Sequence, residues 1–148
     1  MRINMKKRIT YVFITVMMTV LLAGCGSSTS LKNGYYTAEM AEFSFGWKEY
    51  LIIQVKNDII VSAEYNAKNE SGFIKAWDNS YMKSMINEQG TYPNKYTREY
   101  IQQLLDGQAD TRVDTISGAS TSGGNFEKLV DAVLKQAAAG DSTIAIVE

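Results

Sequence analysis

The residues best suited to chemistry lie in Asp114-Thr115-Ile116-Ser117-Gly118-Ala119-Ser120-Thr121-Ser122-Gly123-Gly124, where five hydroxyls and three glycines stand immediately before an apolar-periodic run. Glycine admits backbone shapes that bring amides close to a ligand. The first amides of a helix have no intrahelical partner and point outward at the positive end of its dipole, which suits a phosphate. Hydroxyls at Ser120, Thr121 or Ser122 can bond such an anion or cap the amides themselves. On spacing alone, a capped helix start behind a flexible loop explains the same residues. Asp114, ahead of the turn, fits a side chain bonding nearby backbone amides. No second carboxylate stands beside it in sequence to make an acid–base pair.

Other chemistries are excluded by composition. The 148 residues contain no histidine and one cysteine, Cys25. A Cys/His zinc site, a histidine base and a disulfide therefore have no residues to draw on. Four of the 15 basic residues are Arg2, Lys6, Lys7 and Arg8, so the body from Cys25 onward carries 11 basic residues against 16 acidic ones. That acidic balance gives no electrostatic case for nucleic acid, and none is expected as a partner.

The elements that position the hydroxyl-rich segment follow from periodicity. Residues 35–39 read as an opening strand. The stretches 49–56 and 59–65 are rich in β-branched and aromatic residues and flank Asn57-Asp58, which predicts an antiparallel hairpin. Phe43, Phe45 and Trp47 alternate with small residues, which suggests one buried strand face or a wall against a flat ligand, and periodicity alone favours the buried face. The loop expected at 66–73 is followed by helical spacing at Trp77, Tyr81, Met82, Met85 and Ile86, with Gly90 as the stop. A second helix is expected over 97–106, capped by Thr97 with Pro93 before it. A third over about 124–139 carries Phe126, Leu129, Val130, Val133, Leu134 and Ala137 on one face and ends at Gly140. Thr143 to Val147 can add a terminal strand. The order predicts an α+β domain, a mostly antiparallel sheet with packed helices, preceded by a lipoprotein signal peptide.

That leader is residues 1–24. A basic start is followed by an uncharged run over 9–24, the pattern of an export signal. As a helix the run spans about 24 Å, short of the roughly 30 Å hydrocarbon core. It ends in Leu22-Ala23-Gly24-Cys25, which resembles the lipobox of bacterial lipoprotein precursors. The resemblance implies a diacylglycerol and acyl chains such as palmitate on Cys25. The protein is then held to the bacterial cell membrane, lipid-anchored at its extracytoplasmic face. Residues 25–30 are a polar tether, and 31–148 the folded domain.

Asp114, Thr115, Ile116, Ser117, Gly118, Ala119 and Ser120 resemble the attachment motif of FMN-binding domains, the covalent flavoprotein domains found in the sodium-pumping quinone reductase. The opening Leu31–Ala38 segment and the Lys75, Trp77, Asp78, Tyr81, Met85 segment are similar to small lipoprotein forms of that family. The resemblance implies an FMN cofactor joined through its phosphate to Ser120, with Thr121 as the neighbouring acceptor. Asp114, Ser117, Gly118, Ala119 and Ser122 complete the implied cofactor site. The family's commoner acceptor is threonine; Ser120 keeps the hydroxyl and loses the methyl. It further implies an electron carrier rather than a stand-alone enzyme, with a flavin transferase, a membrane reductase and an extracellular electron acceptor as partners. Trp47 or Trp77 is available to stack on the ring. The competing reading is a non-redox lipid-anchored surface binding module.

Overall fold

The computed structural model describes residues 30–148. The expected leader, Cys25 and the tether up to residue 29 lie outside the described residues. The fold is α+β. Strands β1 (Gly34–Met40), β2 (Lys48–Lys56), β3 (Ile59–Lys68) and β4 (Ala145–Val147) form one sheet in the order β3-β2-β1-β4. β1 pairs antiparallel with β2, β2 antiparallel with β3, and β4 parallel with β1. Helices α1 (Asn79–Gln89), α2 (Pro93–Gly107) and α3 (Ser120–Ala139) complete the domain. α3 lies across β1 and β2, and α2 packs on β3.

The expected hairpin forms, and its turn explains itself. Asn57 and Asp58 both take positive φ, 51° and 67°, the pairing that matches the twist of a two-residue hairpin. Asp58 Oδ1 accepts the Leu31 amide at 2.5 Å and Asn33 Oδ1 accepts the Asn57 amide at 2.7 Å, so this turn also fastens the start of the domain. Along β2 the side chains of Glu49, Leu51, Ile53 and Val55 all point into the core. On β3 a bulge opposite Gln54 and Val55 shifts the parity: Ile60 is buried on one side of it, Tyr65 and Ala67 on the other. The extra residue lets both halves of the strand present apolar groups to the helices.

Tyr65, Tyr100 and Phe126 make the centre of the core, with ring centroids 4.7 Å apart for Tyr65–Phe126 and 5.3 Å for Tyr100–Phe126. Of the apolar face expected on the last helix, Phe126, Leu129, Val130, Val133 and Ala137 are buried and Leu134 is half-buried. Gly90 and Gly140 terminate α1 and α3 in the left-handed region, as expected.

Several expectations need correction. α2 begins at Pro93 rather than 97, because proline suits the first helical position; Thr97 lies inside it and donates to the Pro93 carbonyl at 2.8 Å instead of capping. α3 starts four residues early, at Ser120, with Ala119 as its cap residue and no side-chain cap bond. Phe43, Phe45 and Trp47 are not a buried strand face. Ser44 and Trp47 exchange backbone bonds of 2.8 and 3.0 Å around a tight turn, leaving Phe45 93% exposed.

Two glycines of the hydroxyl-rich segment serve packing. Gly118 has φ +80°, and a Cβ there would stand 2.6 Å from the Gln89 carbonyl oxygen. At Gly123 a Cβ would meet the Tyr100 hydroxyl at 2.5 Å, whereas Gly124 faces open space. In urea unfolding, Phe126→Ala is expected to cost about 3–5 kcal/mol, and Gly118→Ala more than about 1 kcal/mol. Gly124→Ala is expected to stabilise by about 0.5–1 kcal/mol, since it adds only helix propensity. A neutral Gly118→Ala would refute the packing role.

Candidate functional site

A cleft of about 470 Å³ opens where the first turn of α3, the side of α1 and the β1–β2 connection meet. Its aromatic wall is Trp47 from that connection and Tyr81 from α1, edge to face with centroids 6.2 Å apart. Asp78 sets α1 in place: its Oδ1 accepts the amides of Ser80 and Tyr81 at 3.0 and 2.9 Å. Lys75, in a single 3₁₀ turn (Lys75–Trp77), lays its ammonium over both rings, 4.9 Å from the Tyr81 centroid and 5.9 Å from that of Trp47. Among the described residues the ion pairs are Lys68–Glu39 and Lys95–Glu99, so Lys75 has no carboxylate partner. Burial holds its ammonium below the ordinary lysine value, and the Glu49 charge partly offsets this.

Glu49 forms the floor. It is 8% exposed, yet it lines the cleft. Its Oε1 accepts from the Ser122 hydroxyl at 2.6 Å and its Oε2 from the Asn125 side-chain amide at 2.7 Å. Both donors stand in the opening turns of α3, where the helix dipole favours a negative charge. No cation pairs with it among the described residues. Two tyrosines hold the same turn from beneath: Tyr65 donates to the Ser122 carbonyl at 2.7 Å, and Tyr100 to that of Ala119 at 3.1 Å.

The hydroxyl-rich segment divides at Gly118. Gly118, Ala119, Ser120, Thr121 and Ser122 line the cleft. Ser120 and Thr121 are exposed, while Ser122 is buried on Glu49. Asp114 and Ser117 are exposed outside it. The Asp114 backbone is clamped by Gln103, which accepts its amide at 2.7 Å and donates to its carbonyl at 3.2 Å. Of the two tryptophans, Trp47 lines the cleft and Trp77 does not. Glu49, Lys75, Tyr81 and Asn125 were not singled out as site residues by sequence reasoning. For Glu49 the signal existed: a carboxylate at the same strand parity as Leu51, Ile53 and Val55 must point inward.

No family model matches the chain. The chain is 32% identical over 125 residues to the 15 kDa lipoprotein of Treponema pallidum (strain Nichols), covering 84% of this chain and 88% of that protein. A crystal structure of the CPE2226 protein from Clostridium perfringens matches with a TM-score of 0.74 at 35% identity, over 79% of this chain and 97% of that one.

These findings correct the resemblance to FMN-binding domains and, with it, the FMN cofactor, the phosphoester at Ser120 and the electron-carrier function. Among the described residues the sheet is open, with β3 and β4 at its edges, and does not close into the barrel that a split-barrel flavin site requires. At the start of α3, Ser122 and Asn125 are already committed to Glu49, whose negative charge disfavours a phosphate there. Nor do the described residues include a group of three or more Cys, His, Asp or Glu able to hold a metal. The expected transferase, reductase and electron acceptor rested on that cofactor.

The buried phenols set an alkaline limit. Burial, with the Glu49 charge as a further contribution, raises Tyr65, Tyr96 and Tyr100 above the ordinary 10.0. The unfolded chain releases these protons near pH 10 while the folded chain retains them. Their contribution is therefore complete below about pH 10 and lost as the pH rises beyond it. Lys75, shifted down, acts in the opposite sense up to 10.5, but it is one group against five, since Tyr50 and Tyr81 are raised as well. The urea midpoint is expected to fall above pH 10, with phenolate absorbance of the core tyrosines appearing only on unfolding. Tyr96→Phe should flatten that fall, and an unchanged slope would contradict the assignment.

Proposed function

The chain belongs to the family of the 15 kDa lipoprotein of Treponema pallidum, and from that premise we propose that it is a lipid-anchored extracytoplasmic binding module. Its lipid is carried on Cys25, and its recognition site is the cleft at the start of α3. One observation carries this reading: the chain joins the fold at the end of α3 remote from the cleft. Lys32 donates its amide to the Ala137 carbonyl and its ammonium to that of Ala139, each at 2.9 Å. The cleft lies at the helix's other end, at Ser120. Twenty helical residues separate the two by about 30 Å. A lipid before Leu31, joined by the short polar tether of 25–30, then holds the Lys32 end toward the bilayer and turns the cleft away from it.

The cleft has the make-up of a recognition site rather than of a hydrolytic centre. Aromatic faces and a few convergent polar groups are the usual lining of small-molecule pockets. Ser122, the lining hydroxyl that meets a carboxylate, is buried and donates to Glu49 at 2.6 Å, a bond that helps fix Glu49 in the floor. No described helix is long and apolar enough to cross a membrane; the lipobox resemblance at Leu22–Cys25 offers lipid as the attachment.

The reading is tested on the full chain in a bacterium with lipoprotein processing. Wild type is expected in the detergent phase of a Triton X-114 partition and the Cys25→Ala variant in the aqueous phase. A Phe45→Cys label, at a side chain 93% exposed beside the cleft, should react with an impermeant maleimide on intact spheroplasts. Aqueous wild type, or labelling only after lysis, would sink the proposal.

A further inference from the structure

Glu49 and Lys75 carry opposite charges into one cleft and form no ion pair with each other. A buried carboxylate costs free energy unless a cation or several hydrogen bonds compensate it. Glu49 receives one bond on each oxygen, from Ser122 and Asn125, which leaves a second lone pair on each. Lys75, across the cleft, has an ammonium resting on the faces of Tyr81 and Trp47 with no hydrogen-bond acceptor among the described residues. A ligand with one charge satisfies one of these groups and opposes the other. A ligand with both charges satisfies both, and the space between them is bounded by aromatic rings.

We propose that the cleft binds a small zwitterion of amino-acid to short-peptide size. Its ammonium bonds Glu49, its carboxylate draws Lys75 off the rings, and its apolar side chain packs on Trp47 and Tyr81. The volume of about 470 Å³ lies at the small-ligand end of the range for binding pockets, roughly 300–1,000 Å³. Lys75 is able to move because only ring contacts hold its head, and its long stem lets the ammonium swing while the backbone turn stays fixed. Glu49 is not free to move: Ser122 and Asn125 fix it, so the ammonium end sets the ligand's orientation. Phe45, at the tip of the β1–β2 connection, also lines the cleft and adds apolar surface at its mouth.

This inference rests on the cleft being the recognition site proposed above, and the experiment separates the two. Calorimetric titration of the full chain in detergent uses five probes: the dipeptide Ala-Phe, its N-acetyl form, its C-terminal amide, phenethylamine and 3-phenylpropionate. Ala-Phe is expected to bind at least about tenfold more tightly than each of the other four, a difference of about 1.4 kcal/mol. Glu49→Gln should erase the preference for Ala-Phe over its acetylated form, by weakening Ala-Phe and by relieving the repulsion of the acetylated form's lone carboxylate. Lys75→Met should erase the preference over the amide. The probe series on wild type decides the matter even if Glu49→Gln fails to fold. Equal binding of a singly charged probe would overturn the zwitterion while keeping the cleft as a binding site. No binding by any probe, in a chain that still anchors through Cys25, would overturn the inference and leave the anchoring intact.

Discussion

The first turn of α3 is fastened from beneath by three side chains of other elements, and the site depends on that fastening. Tyr65 of β3 bonds the Ser122 carbonyl, Tyr100 of α2 bonds the Ala119 carbonyl, and Glu49 of β2 takes the Ser122 hydroxyl. Each such bond contributes about 0.5–1.5 kcal/mol net, and more is lost when a buried partner is left alone. The rings of Tyr65 and Tyr100 also stack around Phe126, so the polar ties and the apolar core are made by the same residues. Gly123 is the steric condition for this arrangement, since any side chain there would collide with the Tyr100 hydroxyl.

The charge of Glu49 is the costly part of the design. A hydrophobic residue of similar size at such a position is often as stabilising as a hydrogen-bonded charge, or more so. Fold stability alone therefore gives little reason for a carboxylate at the end of an otherwise apolar strand face. The positive end of α3 and two side-chain donors offset the cost without neutralising the charge. What results is a fixed negative group at the floor of an aromatic cleft, with a movable positive group at its wall. Preorganisation of one partner and freedom of the other lets a site orient a ligand before it closes on it.

The sheet and helix axes give the domain two distinct ends. At one, the β2–β3 turn, Leu31 and Lys32 gather around the last residues of α3 through Asp58, Asn33 and the helix carbonyls. At the other, the β1–β2 connection, α1 and the start of α3 surround the cleft. The parallel pairing of β4 with β1 follows from this layout, because α3 carries the chain back the length of the sheet before β4 begins.

Much of the architecture was legible along the chain. The hairpin around Asn57-Asp58, the apolar face from Phe126 to Ala137 and the stops at Gly90 and Gly140 all follow from local rules: strand parity, helical period and left-handed caps. The resemblance of Leu22-Ala23-Gly24-Cys25 to a lipobox is likewise a reading of sequence alone, outside the described residues. Part of the hydroxyl-rich segment, Gly118 to Ser122, borders the cleft, but its chemistry was not legible in sequence. Whether Ser122 caps a helix, holds an anion or bonds a carboxylate depends on Glu49, 73 positions away in sequence. Likewise Gly118 and Gly123 look permissive toward a ligand until Gln89 and Tyr100 are seen pressed against them. Local pattern determines which backbone forms and which face is apolar, because those energies are set by near neighbours. Only the packing of β2, α1 and α3 decided which charges share a cleft, because that depends on distances between residues far apart along the chain.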